Sequence, residues 1–204
     1  MQSVFVTVGS TQFDELTQLV TTEATLQALA RLGCRRLTVQ YGTAKAPRVP
    51  PVAKRAGVEV ETYDYKASIA NDLAAADVVI GHAGAGTILE ALGAGKKMVV
   101  VVNDRLMSNH QTELAFKMKA LNHLDACTCD TLLHTLAGLP ARSFARYHGG
   151  EDDRAVLNHI AGVLEARRAD ALRSAQGRGR PSIALFLVAA VLAFALAHTL
   201  FFLT

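Results

Sequence analysis

The sequence predicts an α/β fold, a doubly wound, mainly parallel sheet, followed by a C-terminal transmembrane helix. Three observations carry this. Short β-branched runs, Val78-Val79-Ile80 and the apolar run at 98–102, read as strands buried on both faces and alternate with segments of helical spacing. Gly-rich or polar stretches follow three of the runs, at residues 9–13, 81–86 and 103–111. In an alternating α/β order such loops collect beyond the carboxyl ends of the strands and line one crevice. Finally, residues 183–203 are 21 consecutive positions without a formal charge, 13 of them Leu, Ile, Val or Phe. As a helix they would span roughly 30 Å, the thickness of a bilayer's hydrocarbon core.

Taken in order, residues 3–8 read as a buried strand ended by Gly9-Ser10-Thr11-Gln12-Phe13. Asp14 caps a helix expected to run to residue 32, with Leu16, Leu19, Val20, Leu26, Leu29 and Ala30 as its apolar positions and Gly33 closing it. Residues 36–40 form a second strand. Pro47, Pro50 and Pro51 break the loop after it, and a short helix follows over 52–55. Residues 58–62 alternate apolar with polar, as an edge strand does, and a short helix at 69–75 leads into the strand at 78. Helical spacing resumes at 87–94, ended by Gly93 and Gly95. A strand at 98–102 is followed by a helix at 109–121 with Leu114, Ala115, Met118 and Leu121 inward. A last strand at 124–127 and helices near 130–137 and 152–168 complete the body.

The expected domain organisation is a globular body over 1–170, a basic flexible linker over 171–182 and the membrane span over 183–203. Arg173, Arg178 and Arg180 precede the span and only Thr204 follows it. The positive-inside rule then keeps the body cytosolic and makes the segment a tail anchor. The first residues lack the basic n-region of a secretory signal, which agrees with a cytosolic body. Net charge is +3 and aromatics are 6% of residues, with no basic patch interleaved with aromatics, so no nucleic acid is expected as a partner. The three cysteines, Cys34, Cys127 and Cys129, suit reduced, partly buried thiols; Cys127-Thr128-Cys129 is the one spacing that would suit a redox or metal pair.

The chemistry lies in Gly81-His82-Ala83-Gly84-Ala85-Gly86-Thr87. A buried strand that turns through glycines into a helix presents unpaired N–H groups and the positive end of a helix dipole, which together receive a phosphate or diphosphate without a lysine. Glu90, four residues after Gly86, sits one turn into that helix, where a carboxylate can accept hydrogen bonds from ribose hydroxyls. Bland alternatives stay open on these residues alone. Gly84 and Gly86 also suit a tight turn, Glu90 a solvated helix face, Asn109 a helix cap and His82 a structural hydrogen bond.

Three stretches together, Val6 to Asp14, His82 to Leu92 and Leu106 to Ala115, resemble in order and register the catalytic subunits of the endoplasmic-reticulum UDP-N-acetylglucosamine transferase. That family adds the second N-acetylglucosamine to dolichyl-diphosphate-N-acetylglucosamine. The resemblance covers about residues 3–165 and implies the Rossmann-like half of a GT-B glycosyltransferase. It assigns Gly9, Ser10 and Thr11 to the diphosphate, His82, Gly84, Gly86 and Thr87 to diphosphate and sugar, Glu90 to the ribose, and Asn109, His110 and Gln111 to the sugar hydroxyls. An amide side chain both donates and accepts, as hydroxyl recognition requires. His82 and Glu90 are the candidate catalytic residues, with the general base expected on a partner.

The resemblance further implies the donor UDP-N-acetylglucosamine, a membrane-bound partner subunit carrying the acceptor-side domain, a dolichyl-diphosphate-linked acceptor, and placement on the cytosolic face of the endoplasmic-reticulum membrane. A tail anchor departs from the simplest pattern of the family, whose subunit is soluble. No Asp-x-Asp pair is present to hold a divalent ion against a diphosphate, so no metal or other cofactor is expected. The competing readings are a lipid glycosyltransferase with another UDP-sugar donor, a UDP-N-acetylglucosamine 2-epimerase, and a non-catalytic membrane-anchored scaffold subunit. A dinucleotide site fits less well, because the Gly-x-Gly lies mid-chain and not after the first strand.

Overall fold

A computed structural model describes residues 1–103 and 110–149, with the backbone alone for residues 110–112. The chain divides into two compact units, Met1–Asp152 and Asp153–Thr204, and every element below belongs to the first. Six parallel strands form one sheet: β1 (Ser3–Thr7), β2 (Arg36–Gln40), β3 (Glu59–Tyr63), β4 (Val78–His82), β5 (Lys97–Val102) and β6 (Asp125–Thr128), in the order β3-β2-β1-β4-β5-β6. The α/β doubly wound expectation therefore holds for the body. β3 is an edge strand, as its alternation requires; its residues are exposed or half-buried, whereas all five of β4 are buried.

Because side chains alternate across a strand, Val4 and Val6, Val78 and Ile80, and Val99 and Val101 face one side of the sheet. They form one cluster with Leu16 of α1 (Asp14–Leu19), Leu26 and Leu29 of α2 (Glu23–Arg31), Val52 of α3 (Val52–Arg55), and Leu132 and Leu136 of α7 (Leu132–Gly138). The opposite face is covered by α4 (Ala70–Ala75), α5 (Ala85–Gly93) and α6 (His110–Ala120). Each fully buried Leu, Ile or Val contributes about 1.5–3 kcal/mol of transfer free energy. Such a core is the main opponent of the chain entropy lost on folding.

Several boundaries differ from expectation for identifiable reasons. The single helix expected from residue 14 to 32 is two, α1 and α2, because Val20-Thr21-Thr22 interrupts it. Thr22 is extended (ψ 154°), its hydroxyl donates to Leu19 O at 2.8 Å, and its oxygen accepts from Thr25 N at 3.3 Å as the N-cap of α2. A hydroxyl competing for backbone groups stops one helix and starts the next. Leu114, Ala115 and Met118 of α6 are buried as expected, but Leu121, in the turn after it, is 38% exposed. β4 extends past the expected Ile80 through Gly81 and His82, which pair with Val100 and Val101 of β5. None of the three cysteines is in a disulfide, and burial pushes the Cys127 thiol up to about 11.

The expected transmembrane helix needs correction. Among the described residues no helix is long and apolar enough to cross a membrane. The longest described helix, α6, has 11 residues. That is about 16 Å at ~1.5 Å per residue, roughly half a bilayer's hydrocarbon thickness. Residues 183–203, like the expected linker at 171–182 and helix at 152–168, lie outside the described residues. The fold of the described residues is the α/β sheet, and it supports neither a tail anchor nor a tail-anchored endoplasmic-reticulum membrane localisation.

Candidate functional site

The strand order reverses direction between β1 and β4, so their carboxyl-terminal loops diverge to opposite faces and leave a crevice between them. Two of the expected loops flank that crevice: Gly9-Ser10-Thr11 after β1, and Ala83-Gly84 leading from β4 into α5. β5 is the next strand, and α6 follows it. The backbone of His110 and Gln111 opens α6, while Asn109 lies outside the described residues.

His82 joins the two loops. As the last residue of β4 it is only 9% exposed, and its Nδ1 is buried with no hydrogen-bond partner. The ring lies between Gly9 and Gly84. A Cβ on Gly9 would come 3.1 Å from His82 Cε1, and one on Gly84 would come 2.2 Å from Nε2. Both glycines therefore have a reason the sequence did not show, namely room for this imidazole. Gly86 differs, because it is exposed and a Cβ there would meet nothing within 4 Å.

At the start of α5, Gly84 is the N-cap and offers no side-chain cap; the first intrahelical bond recorded runs from Ile88 N to Gly84 O at 3.1 Å. The N–H groups of Ala85, Gly86 and Thr87 thus precede any i−4 acceptor within the helix, the condition for anion binding at a helix start. Glu90 is exposed one turn further along. On the other loop, the Gly9 N–H donates to Thr7 Oγ1 at 3.1 Å, and the Thr11 N–H and hydroxyl both donate to Val8 O, at 3.1 and 2.7 Å. Ser10, exposed, has the one N–H of these three with no recorded acceptor among the described residues.

Burial lowers the pKa of His82 below its ordinary value. The neutral ring is thus the native form. A histidine depressed in the folded state contributes stability that is complete above the unfolded pKa near 6.5 and is lost as pH falls toward the folded pKa. In urea titrations from pH 7.5 to 5, wild type should lose stability faster than His82→Gln, by up to about 1.4 kcal/mol per pH unit. Parallel profiles would show that the ring protonates freely in the fold.

Residues 3–144 match the glycosyltransferase family 28 C-terminal domain. The chain belongs to that family. It is 43% identical over 161 residues to the human UDP-N-acetylglucosamine transferase subunit ALG13, an alignment covering 79% of this chain but only 14% of that protein. The subunit of the same name from Eremothecium gossypii is 32% identical, with 70% of this chain and 81% of the relative covered. An NMR structure of ALG13 superposes with a TM-score of 0.61 at 24% identity, covering 78% of this chain and 97% of that one, which supports the fold. The resemblance read from the three motifs is therefore borne out at the level of the family.

Two buried polar residues beneath the first loop, Thr7 and Gln40, escaped sequence reasoning. The available signal was a polar side chain near the carboxyl end of a mostly buried strand, in each case two positions before a glycine. Among the described residues no group of three or more His, Cys, Asp or Glu could hold a metal ion. A separate cavity of about 650 Å³, lined by Arg35, Val49, Pro50, Lys54, Gly57 and Glu59 among others, lies by the starts of β2 and β3, at the opposite end of the strands from the crevice.

Proposed function

We propose that this chain is the donor-binding subunit of a UDP-N-acetylglucosamine transferase, acting with a membrane-bound partner that supplies the acceptor-side domain. The acceptor is dolichyl-diphosphate-N-acetylglucosamine. The observation that carries the reading is the conjunction at the strand-order switch of an uncapped helix start with a buried, neutral imidazole whose Nδ1 lacks a partner. The names of the relatives support the donor.

In the transfer, the bond from sugar C1 to the β-phosphate oxygen breaks as an acceptor hydroxyl attacks C1, and the hydroxyl proton passes to a base on the partner. The barrier is dominated by charge gathering on the departing diphosphate. The Ala85, Gly86 and Thr87 amides are oriented by α5 before the reaction begins, so they stabilise that charge without reorganisation. His82, neutral and held between the two loops, is a hydrogen-bond donor to the same group. Gly9, Ser10 and Thr11 form the facing wall, Glu90 accepts from the ribose hydroxyls, and Asn109, His110 and Gln111 read the sugar. No metal ion takes part in this scheme.

The test is transfer from UDP-N-acetylglucosamine to a lipid-diphosphate-N-acetylglucosamine acceptor, with and without the membrane partner and with excess EDTA. Turnover is expected only with both proteins present and is expected to survive EDTA. Loss in EDTA that manganese restores would overturn the metal-independent scheme. Full turnover by this chain alone would overturn the division of labour. Absence of UDP-N-acetylglucosamine binding even beside the partner would favour the scaffold reading.

A further inference from the structure

Beneath the first loop runs a chain of buried polar contacts that links two strands. The Thr7 hydroxyl, fully buried at the end of β1, donates to Gln40 Oε1 at the end of β2, which is 1% exposed. The same hydroxyl oxygen accepts the Gly9 N–H at 3.1 Å. Thr7 and Gln40 are register partners in the parallel pair, so the sheet itself sets their approach. Two residues after Gln40, Gly42 (φ +58°) lies against the same loop, where a Cβ would come 2.6 Å from Thr11 O and 2.7 Å from Gly9 O.

We infer that Thr7 and Gln40 are positioning residues for the donor diphosphate: their buried relay turns the Gly9 N–H inward and leaves Ser10 as the loop's amide for the ligand. This deepens the proposed function and rests on it. The physical argument concerns direction. A hydroxyl has one proton, and with that proton on Gln40 Oε1 its lone pairs are free to hold an N–H. Glycine at position 9 (φ +60°) allows the chain to turn back within two residues of Thr7. A loop held from below by a hydrogen bond and crowded by Gly42 has little freedom to collapse into the crevice. A preorganised loop loses less entropy on binding an anion than a mobile one.

The experiment uses the full chain with its partner, UDP as the probe, and amide exchange followed by NMR. In wild type the Gly9 N–H should exchange at least about tenfold more slowly than the Ser10 N–H, as one net hydrogen bond allows. Equal rates would overturn the relay without any variant having to fold. Thr7→Val keeps the shape and removes the hydroxyl; it should abolish Gly9 protection and weaken UDP binding by about tenfold. Thr7→Ser keeps the hydroxyl and should bind within about twofold of wild type, an outcome that loss of packing would not produce. Wild-type UDP affinity in a folded Thr7→Val variant would overturn the positioning role alone. Failure of wild type to bind UDP beside its partner would instead overturn the functional reading, and the positioning claim with it.

Discussion

Replacing Gly84 by alanine is expected to abolish donor binding and to destabilise the free protein by about 1–3 kcal/mol, the usual cost of forcing extra volume into a packed interior. The added Cβ would sit 2.2 Å from His82 Nε2 and 2.7 Å from Cε1. Those atoms end a side chain, and in many sites a side chain would swing aside. This one is 9% exposed and has Gly9 within a close contact on its other side, so relief requires movement of the loop itself. Gly86 provides the control. A Cβ there meets nothing within 4 Å, so Gly86→Val should fold with near-native stability in urea titration and lose UDP binding only by shielding the amides at the helix start. Equal loss of stability in both variants would mean that the glycines serve the turn and not the imidazole. Retained UDP affinity in Gly84→Ala would remove His82 from the site.

The second large effect is expected far from the crevice. Asp125 opens β6 and is 2% exposed, yet carries a carboxylate. Its Oδ1 accepts from Lys119 Nζ at 2.8 Å and from the Ala126 N–H at 2.9 Å, and its Oδ2 accepts from Arg142 Nη1 at 3.0 Å. Lys119 also donates to Ala126 O at 2.8 Å. Asp125→Ala leaves the Ala126 N–H without its side-chain acceptor and releases the segment around Arg142, whose carbonyl accepts from Lys97 Nζ at 3.3 Å. Breaking a buried pair costs about 3–5 kcal/mol when the orphaned charge stays buried. Here the cations are 40% and 50% exposed and can rehydrate, so about 2 kcal/mol is expected from urea unfolding. Asp125→Asn, which keeps one acceptor, should lose less. Because Asp125 lies at the start of its strand and the crevice at the ends, UDP affinity of the folded variants should be unchanged. A change in affinity without a change in stability would contradict this account.

Local periodicity made much of the fold legible. Val78-Val79-Ile80 and the run ending at Val102 can be little other than buried parallel strands, and the alternation in Glu59–Tyr63 marks an edge. The glycines placed the turn into α5 to within two residues: the helix opens at Ala85 with Gly84 as its N-cap, and Gly86, read as loop, lies inside it. The errors have separate causes. Thr21 and Thr22 end α1 through hydroxyl bonds to backbone oxygens, a competition that an apolar pattern across residues 14–32 does not register. His82 was read as a loop residue because glycines surround it, although pairing with Val101 makes it strand. The apolar tail was legible as composition alone.

By itself, then, the sequence determined the alternation of strands and helices in the sheet, the approximate position of the glycine turns and the family, all of which follow from residue patterns along the chain. Only the tertiary structure decided that His82 wedges between Gly9 and Gly84, that Thr7 meets Gln40 across 33 residues, and that Asp125 is buried between two cations. The physical reason is that a polar group's role depends on which partner the strand register delivers to it. Register is set by the packing of the whole sheet, and no local pattern of residues contains it.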